Sequence, residues 1–249
     1  MINAFLKRRL WLWKNKLVPS IFLFFFMPVV LFLMVSVPLK NIIQYSISGI
    51  AYDIWVFPGL IFIVGSIALY PIIYREFFDL RVHKKVLINI ALAPYSKSQL
   101  VYGSLVVGII EAIIMTLFAG FLYTYIVSIH MNLLHIAFLL LCLIIYLFLM
   151  GNIYILLSIS IDAITTMILT SFLLFIFIIF GNAFLIELPF FPPMIETLLK
   201  FNPVSYPFRC YQIFISTGAI DWFSFTIQIF IIYILFLLNG FLLKTKLRQ

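Results

Sequence analysis

Six apolar runs, near residues 17–37, 54–74, 100–127, 133–158, 164–186 and 222–243, leave this chain little freedom in what it can become. A helix needs about 20 apolar residues to cross a bilayer, and each run meets that length. The runs lack the polar/apolar alternation of a transmembrane barrel, and an open sheet would leave unpaired backbone groups in lipid. An all-α membrane protein with six transmembrane helices is the expectation. With 65% apolar and 10% charged residues, against about 25% charged in soluble domains, the composition agrees. The runs fill nearly the whole length, so residues 1–249 read as one membrane domain.

The net charge of +8 is informative through its placement. Lys7, Arg8, Arg9, Lys14 and Lys16 precede the first run, Arg75, Arg81, Lys84, Lys85 and Lys97 follow the second, and Lys244, Lys246 and Arg248 follow the last. With a cytoplasmic N-terminus these all share one side, and only Lys40, Lys200 and Arg209 fall on the other. The positive-inside rule therefore puts both termini in the cytoplasm. The expected location is a bacterial inner (plasma) membrane, with an organellar membrane as the alternative. Charge arranged in this way orients a membrane protein and implies no nucleic-acid partner. Cys142 falls within a run and Cys210 in a loop, a difference in depth that argues against a disulfide between them.

Two segments outside the runs have structure of their own. Residues 1–16 form a basic amphipathic pattern, with Ile2, Leu6, Leu10 and Trp13 on one stripe and Asn3, Lys7 and Lys14 opposite, which predicts a helix in the membrane interface. Residues 187–221 are too apolar for a solvated loop and too interrupted by Pro189, Pro192, Pro193, Pro203 and Pro207 for one spanning helix. Short helices re-entering the outer leaflet between the fifth and sixth spans are expected there, with Pro193 opening one of them.

No P-loop, HExxH or GxSxG pattern occurs, so any energy for work must come from a partner. Glu111 is the one acid deep within a run. It is read either as a pathway or proton-linked carboxyl or as a hydrogen-bonded acid that fixes helix packing. Ser104, Gly108, Ala112, Thr116 and Gly120 recur every fourth residue and form a ridge that lets another helix approach closely. His83, His130 and His135 have no partners at metal-ligand spacing, so no metal site is expected. Asp162, in the turn between the fourth and fifth runs, reads as a helix cap.

The densest mixed charge lies in residues 75–99. Glu76 and Asp79 stand among the cations, Phe78, Val82 and Val86 recur at helical spacing, and Ala93-Pro94 closes the stretch. This pattern reads as a docking helix, beyond the needs of a topogenic loop.

Three features together resemble the transmembrane permease subunits of ABC-2 type ABC exporters, in the branch that exports polysaccharides, lipo-oligosaccharides and drugs. Phe57-Pro58-Gly59-Leu60 is similar to that family's element at the start of the second span. Leu92-Ala93-Pro94-Tyr95-Ser96 is similar to the end of its segment after that span, although a Thr usual before the Pro is missing. Phe191-Pro192, followed by Phe201-Asn202-Pro203-Val204-Ser205-Tyr206 and Arg209, resembles its element before the last helix. The resemblance implies a homodimer, or a heterodimer with a similar permease, above a P-loop ABC ATPase that binds ATP and Mg. This chain itself would carry no cofactor and no catalytic residue. Arg75, Glu76, Phe78, Asp79, Arg81, Val82, Lys84, Lys85 and Pro94 would then form the ATPase-coupling segment, with Phe78 and Val82 filling an apolar cleft. Pro192, Asn202, Pro203, Tyr206 and Arg209 would form the outer motif. Two rival readings are an intramembrane lipid-modifying transferase and a proton-coupled secondary transporter working through Glu111.

Overall fold

A computed structural model describes residues 2–15, 25–46, 49–85, 87, 96–127 and 132–246. Among these residues the fold is helical throughout, with one isolated bridge between Tyr45 and Ala51 and no strand. In chain order the helices are α1 (Ile2–Asn15), α2 (Phe25–Ile42), α3 (Tyr52–His83), α4 (Lys97–Val127), α5 (Leu133–Ser160), α6 (Ile164–Phe180), α7 (Pro193–Lys200), α8 (Tyr206–Thr217) and α9 (Trp222–Lys246). Five of them, α2, α3, α4, α5 and α9, are long and apolar enough to cross a membrane.

The bundle is built around α3. Its apolar residues show no preferred face, the pattern of a helix surrounded by protein. Phe62, Val64, Leu69 and Ile73 have no exposed surface, or almost none. The small-residue ridge of α4 lies against it: a Cβ on Gly108 would stand 3.1 Å from Leu69 and 3.4 Å from Ile72. Ala112 and Thr116 of the same ridge are buried. The ridge thus serves packing inside the chain, through the close backbone approach that small residues permit.

The second run is longer than its hydropathy implies. Expected over 54–74, the helix continues to His83, and its last ten residues, Tyr74–His83, wind as a π-helix. The widening starts three residues after Pro71, whose missing N–H interrupts the regular ladder. The fifth run is shorter than expected: α6 stops at Phe180, and at about 1.5 Å per residue its 17 residues span about 26 Å. Gly181 ends it, and Asn182, Ala183, Phe184 and Leu185 turn into the core, where each is at most 4% exposed.

That inward turn depends on Gly59. A Cβ there would lie 2.1 Å from the Phe184 carbonyl oxygen, so only glycine lets the buried segment touch α3. The Tyr52 hydroxyl donates to the Leu185 carbonyl at 3.0 Å and fixes the same contact from about two turns earlier on α3.

Candidate functional site

At one end of the bundle the tips of α3, α5 and α9 converge on Asp162. Arg81 and Lys246 both donate to its carboxylate, the lysine at 2.7 Å. Arg81 also donates to the carbonyls of Ser158 (3.0 Å) and Ile161 (2.5 Å), closing the C-terminus of α5 where no backbone donor is available. The hydrogen bonds from Lys246 and then Arg81 hold the Asp162 carboxyl below the usual carboxylate range. Asp162 therefore acts as a clamp between three elements, where a simple helix cap is the expectation from sequence. Arg81 Nε and Ser158 Oγ are buried beside it without partners, so the joint is not fully satisfied.

The residues expected to face a partner divide at this joint. Glu76 is buried and accepts from Arg8 at 3.0 Å. Phe78 has no exposed surface: it stacks on Tyr74 with ring centroids 5.1 Å apart and meets His83 edge-on. Phe78 was expected to fill a partner's cleft, but it fills this protein's own core, because α3 continues past residue 74 and carries it inward. Arg81 is spent on the clamp. Lys84 and Lys85 are exposed, and Arg75, Asp79 and Val82 are half-buried. Lys84 pairs with Asp79 at 3.1 Å, and Lys85 stands at φ 53°, a sharp turn off the end of the helix. Val86 and Pro94 lie outside the described residues.

A second charge cluster joins the N-terminal helix to the bundle. Arg9 grips Glu111 with a two-pronged fork, Nε and Nη2 each 2.8 Å from a carboxylate oxygen, and Trp13 Nε1 donates to the same carboxylate at 2.6 Å. The face of α1 turned to the bundle therefore carries its arginines, while Leu10 and Trp11 are exposed. Leu10 belongs to the apolar stripe that the sequence pattern assigns to the membrane interface, and its exposure is compatible with that face, whereas Trp13 of the same stripe turns to Glu111. The ion pairs of Arg8 with Glu76 and Arg9 with Glu111 hold the rotation of α1 against the bundle.

At the opposite end, the motif expected on the outer side forms a hydrogen-bonded knot. Asn182 Nδ2 donates to the Phe177 and Ile178 carbonyls and closes α6, and its Oδ1 accepts from Asn202 Nδ2 at 2.6 Å. Asn202 Oδ1 accepts from the Val204 amide, which starts the short turn at Pro203. Ser205 Oγ donates to the Leu199 and Asn202 carbonyls, and Arg209 Nη1 donates to the Lys200 carbonyl at 2.9 Å. Pro192 immediately precedes the first residue of α7, and Tyr206 opens α8. These residues end one short helix and start the next.

The interior also holds polar pairs that periodicity does not reveal. Ser66 bonds Tyr146 at 2.5 Å, Tyr154 donates to the Ser66 carbonyl, and Asn239 Nδ2 donates to the Asn152 side chain at 3.0 Å. Among the described residues no three His, Cys, Asp or Glu side chains gather where they could hold a metal ion. Comparison of the chain with known protein families, curated proteins and solved structures returns no match.

Proposed function

We propose that this chain is the membrane permease subunit of an ATP-driven exporter of ABC-2 type, moving an amphipathic, lipid-linked or polysaccharide-type substrate. ATP and Mg are bound by a separate P-loop ATPase that docks on the Arg75–Lys85 end of α3. The permease works as a homodimer or as a heterodimer with a similar chain, with both termini in the cytoplasm.

The observation that carries this reading is the form of that helix end. At about 1.5 Å per residue the α-helical part of α3, Tyr52–Ile73, already spans about 33 Å, the thickness of a hydrocarbon layer of about 30 Å, and the ten π-helical residues continue beyond it. That end carries mixed charge at its surface, with Arg75 and Asp79 half-buried and Lys84 just beyond it exposed, while Arg81 braces it against α5 and α9. A topogenic loop needs positive charge and no brace, whereas a lever needs both a charged tip and a rigid root. The docking surface consists of Arg75, Asp79, Val82, Lys84 and Lys85, with Glu76, Phe78 and Arg81 stiffening it from behind.

The sixth crossing is made by α6, completed by residues 181–186 running on into the core. The segment from 187 to 221 then lies in the outer leaflet as the re-entrant element, and α1 lies at the cytoplasmic interface. Among the rivals, the secondary transporter is disfavoured because both Glu111 oxygens are engaged by Arg9 and Trp13, an arrangement suited to holding α1 in place.

Asp79→Lys combined with Lys84→Glu tests the docking surface. The exchange keeps opposite charges at positions 79 and 84, across the end of the helix, but reverses the charge pattern presented there. Affinity-purified wild-type chain brings down a P-loop ATPase in comparable amount, and the double variant loses it at unchanged membrane yield. Retention of the ATPase by the double variant refutes the docking assignment.

A further inference from the structure

The end of the bundle opposite the Asp162 clamp contains a cavity of about 450 Å³ that the exporter reading does not use. That volume falls in the range of small-ligand sites, which are largely apolar with a few fixed polar groups. The apolar lining includes Ile54, Trp55 and Pro58 from α3 and Ile213 and Ile215 from α8, and Ala183 where the chain enters the core. The polar lining has two parts. Arg209, Gln212 and Ser216 lie along one face of α8 at helical spacing, and Glu187 comes from the segment that follows the buried turn.

We propose that this cavity binds the head of a zwitterionic amphiphile, with its phosphate at Arg209, Gln212 and Ser216 and its ammonium group at Glu187 and the Trp55 ring. Three observations lead there. First, the cavity wall carries one guanidinium and one carboxylate on different elements, which matches a ligand of zero net charge bearing both signs. Second, both anchors for the head are held in advance: Arg209 gives one of its five N–H donors to the Lys200 carbonyl, and the Trp55 ring is wedged edge-on against Phe208 at 6.2 Å and tilted against Tyr52 at 6.3 Å. Asp221 lies within electrostatic reach of the same guanidinium and limits how much bare negative charge it can hold. Third, the lining residues Ile54 and Ile215 are 46% and 37% exposed, so an acyl chain can leave the cavity along an apolar surface into lipid. A guanidinium suits phosphate because it offers parallel donors, and a fixed indole face attracts ammonium groups.

The site makes no use of ATP coupling, so it can be tested on the chain alone. Purified protein in maltoside micelles is titrated with three probes and read by native mass spectrometry: a single-chain phosphocholine, the phosphate monoester with the same chain, and chain-free phosphocholine. The wild type retains one phosphocholine amphiphile, about tenfold more tightly than the phosphate ester, and does not retain the chain-free head. Glu187→Gln erases that preference, and Gln212→Ala or Arg209→Gln weakens both charged amphiphiles about tenfold. Because Arg209 also closes α7, Gln212→Ala, whose side chain caps no helix in the structure, decides the matter if the arginine variant elutes aggregated. Equal retention of the two amphiphiles by the wild type overturns the assignment, as does Glu187→Gln with an unchanged preference or Gln212→Ala with unchanged binding. Saturation by chain-free phosphocholine at the same concentration would overturn the lipid part and show a site for the soluble head alone.

Discussion

At the residue scale, Glu111 and Gly59 carry consequences out of proportion to their size. Glu111 sits midway along α4, where an unpaired carboxylate is costly, and Arg9 and Trp13 engage both its oxygens. Replacing Arg9 with Gln leaves that carboxylate with a single donor and destabilises the protein by about 2 kcal/mol, the scale of a hydrogen bond to a charged group in a partly buried site. Arg9→Glu with Glu111→Arg recovers part of the loss, and a double-mutant cycle on thermal unfolding in detergent measures how much. If Glu111→Gln unfolds at the wild-type temperature, α1 is not held by this pair. Gly59 is constrained differently. A methyl group there meets a backbone carbonyl, which cannot rotate away, so Gly59→Ala costs about 1 to 3 kcal/mol and loosens residues 182–185 from α3. Faster hydrogen exchange at Phe184 and Leu185 is the expected readout. Neither effect could be found by scanning the sequence: Arg9 and Glu111 are 102 residues apart, and Gly59 meets residue 184 only after folding.

At the scale of elements, helix ends do the organising. Asp162 joins three of them, and its carboxyl is held below the ordinary range by Lys246 and Arg81. A carboxylate whose folded-state value is depressed contributes stability above its unfolded value, and that stability is lost as pH falls through the folded one. The clamp therefore holds at neutral pH and throughout mild acid, and releases only below the usual aspartate range. The unfolding temperature of Asp162→Asn should lack the corresponding acid-side decline that the wild type shows. Asp221 behaves in the same direction at the start of α9: Ser224 donates to it from both its hydroxyl and its amide and lowers its carboxyl. Asp221→Ala removes that cap at a cost of about 1 kcal/mol. Hydropathy located α4, α5 and α9 to within a few residues at each end, because a change from apolar to polar residues coincides with the end of each helix. It overran α6, since the core-seeking residues Ala183, Phe184 and Leu185 are as apolar as the helix before them. Asn182 was the one polar mark of the break, and its role depends on Asn202, twenty residues on.

At the scale of the whole molecule, the distribution of exposure fits a bundle in lipid. Large apolar side chains are exposed along α2, α6 and α9, while most of α3 is enclosed, so the apolar exterior is spread over several helices instead of one of them. In water such a surface would drive aggregation, and in a bilayer it is the solvated face. The same packing supplies a clean test of orientation, because the native thiols Cys142 and Cys210 are both free and buried. Burial keeps them from reacting with a membrane-impermeant maleimide, so single cysteines can be added without removing them. Lys14→Cys and Lys244→Cys lie on exposed sites near the two ends of the chain, and Met194→Cys lies on α7, where the native side chain is 79% exposed. With the basic residues inside, intact cells label only Met194→Cys, and inverted vesicles label only the other two. The bundle orders its elements so that α1 and the tip of α9 share an end with residues 75–85, through Arg8–Glu76 and the Asp162 clamp. Labelling of Lys14→Cys from outside would therefore place that segment outside as well and remove it from reach of any cytoplasmic ATPase. Topology and energy source are thus a single question for this protein, and the orientation test bears on both.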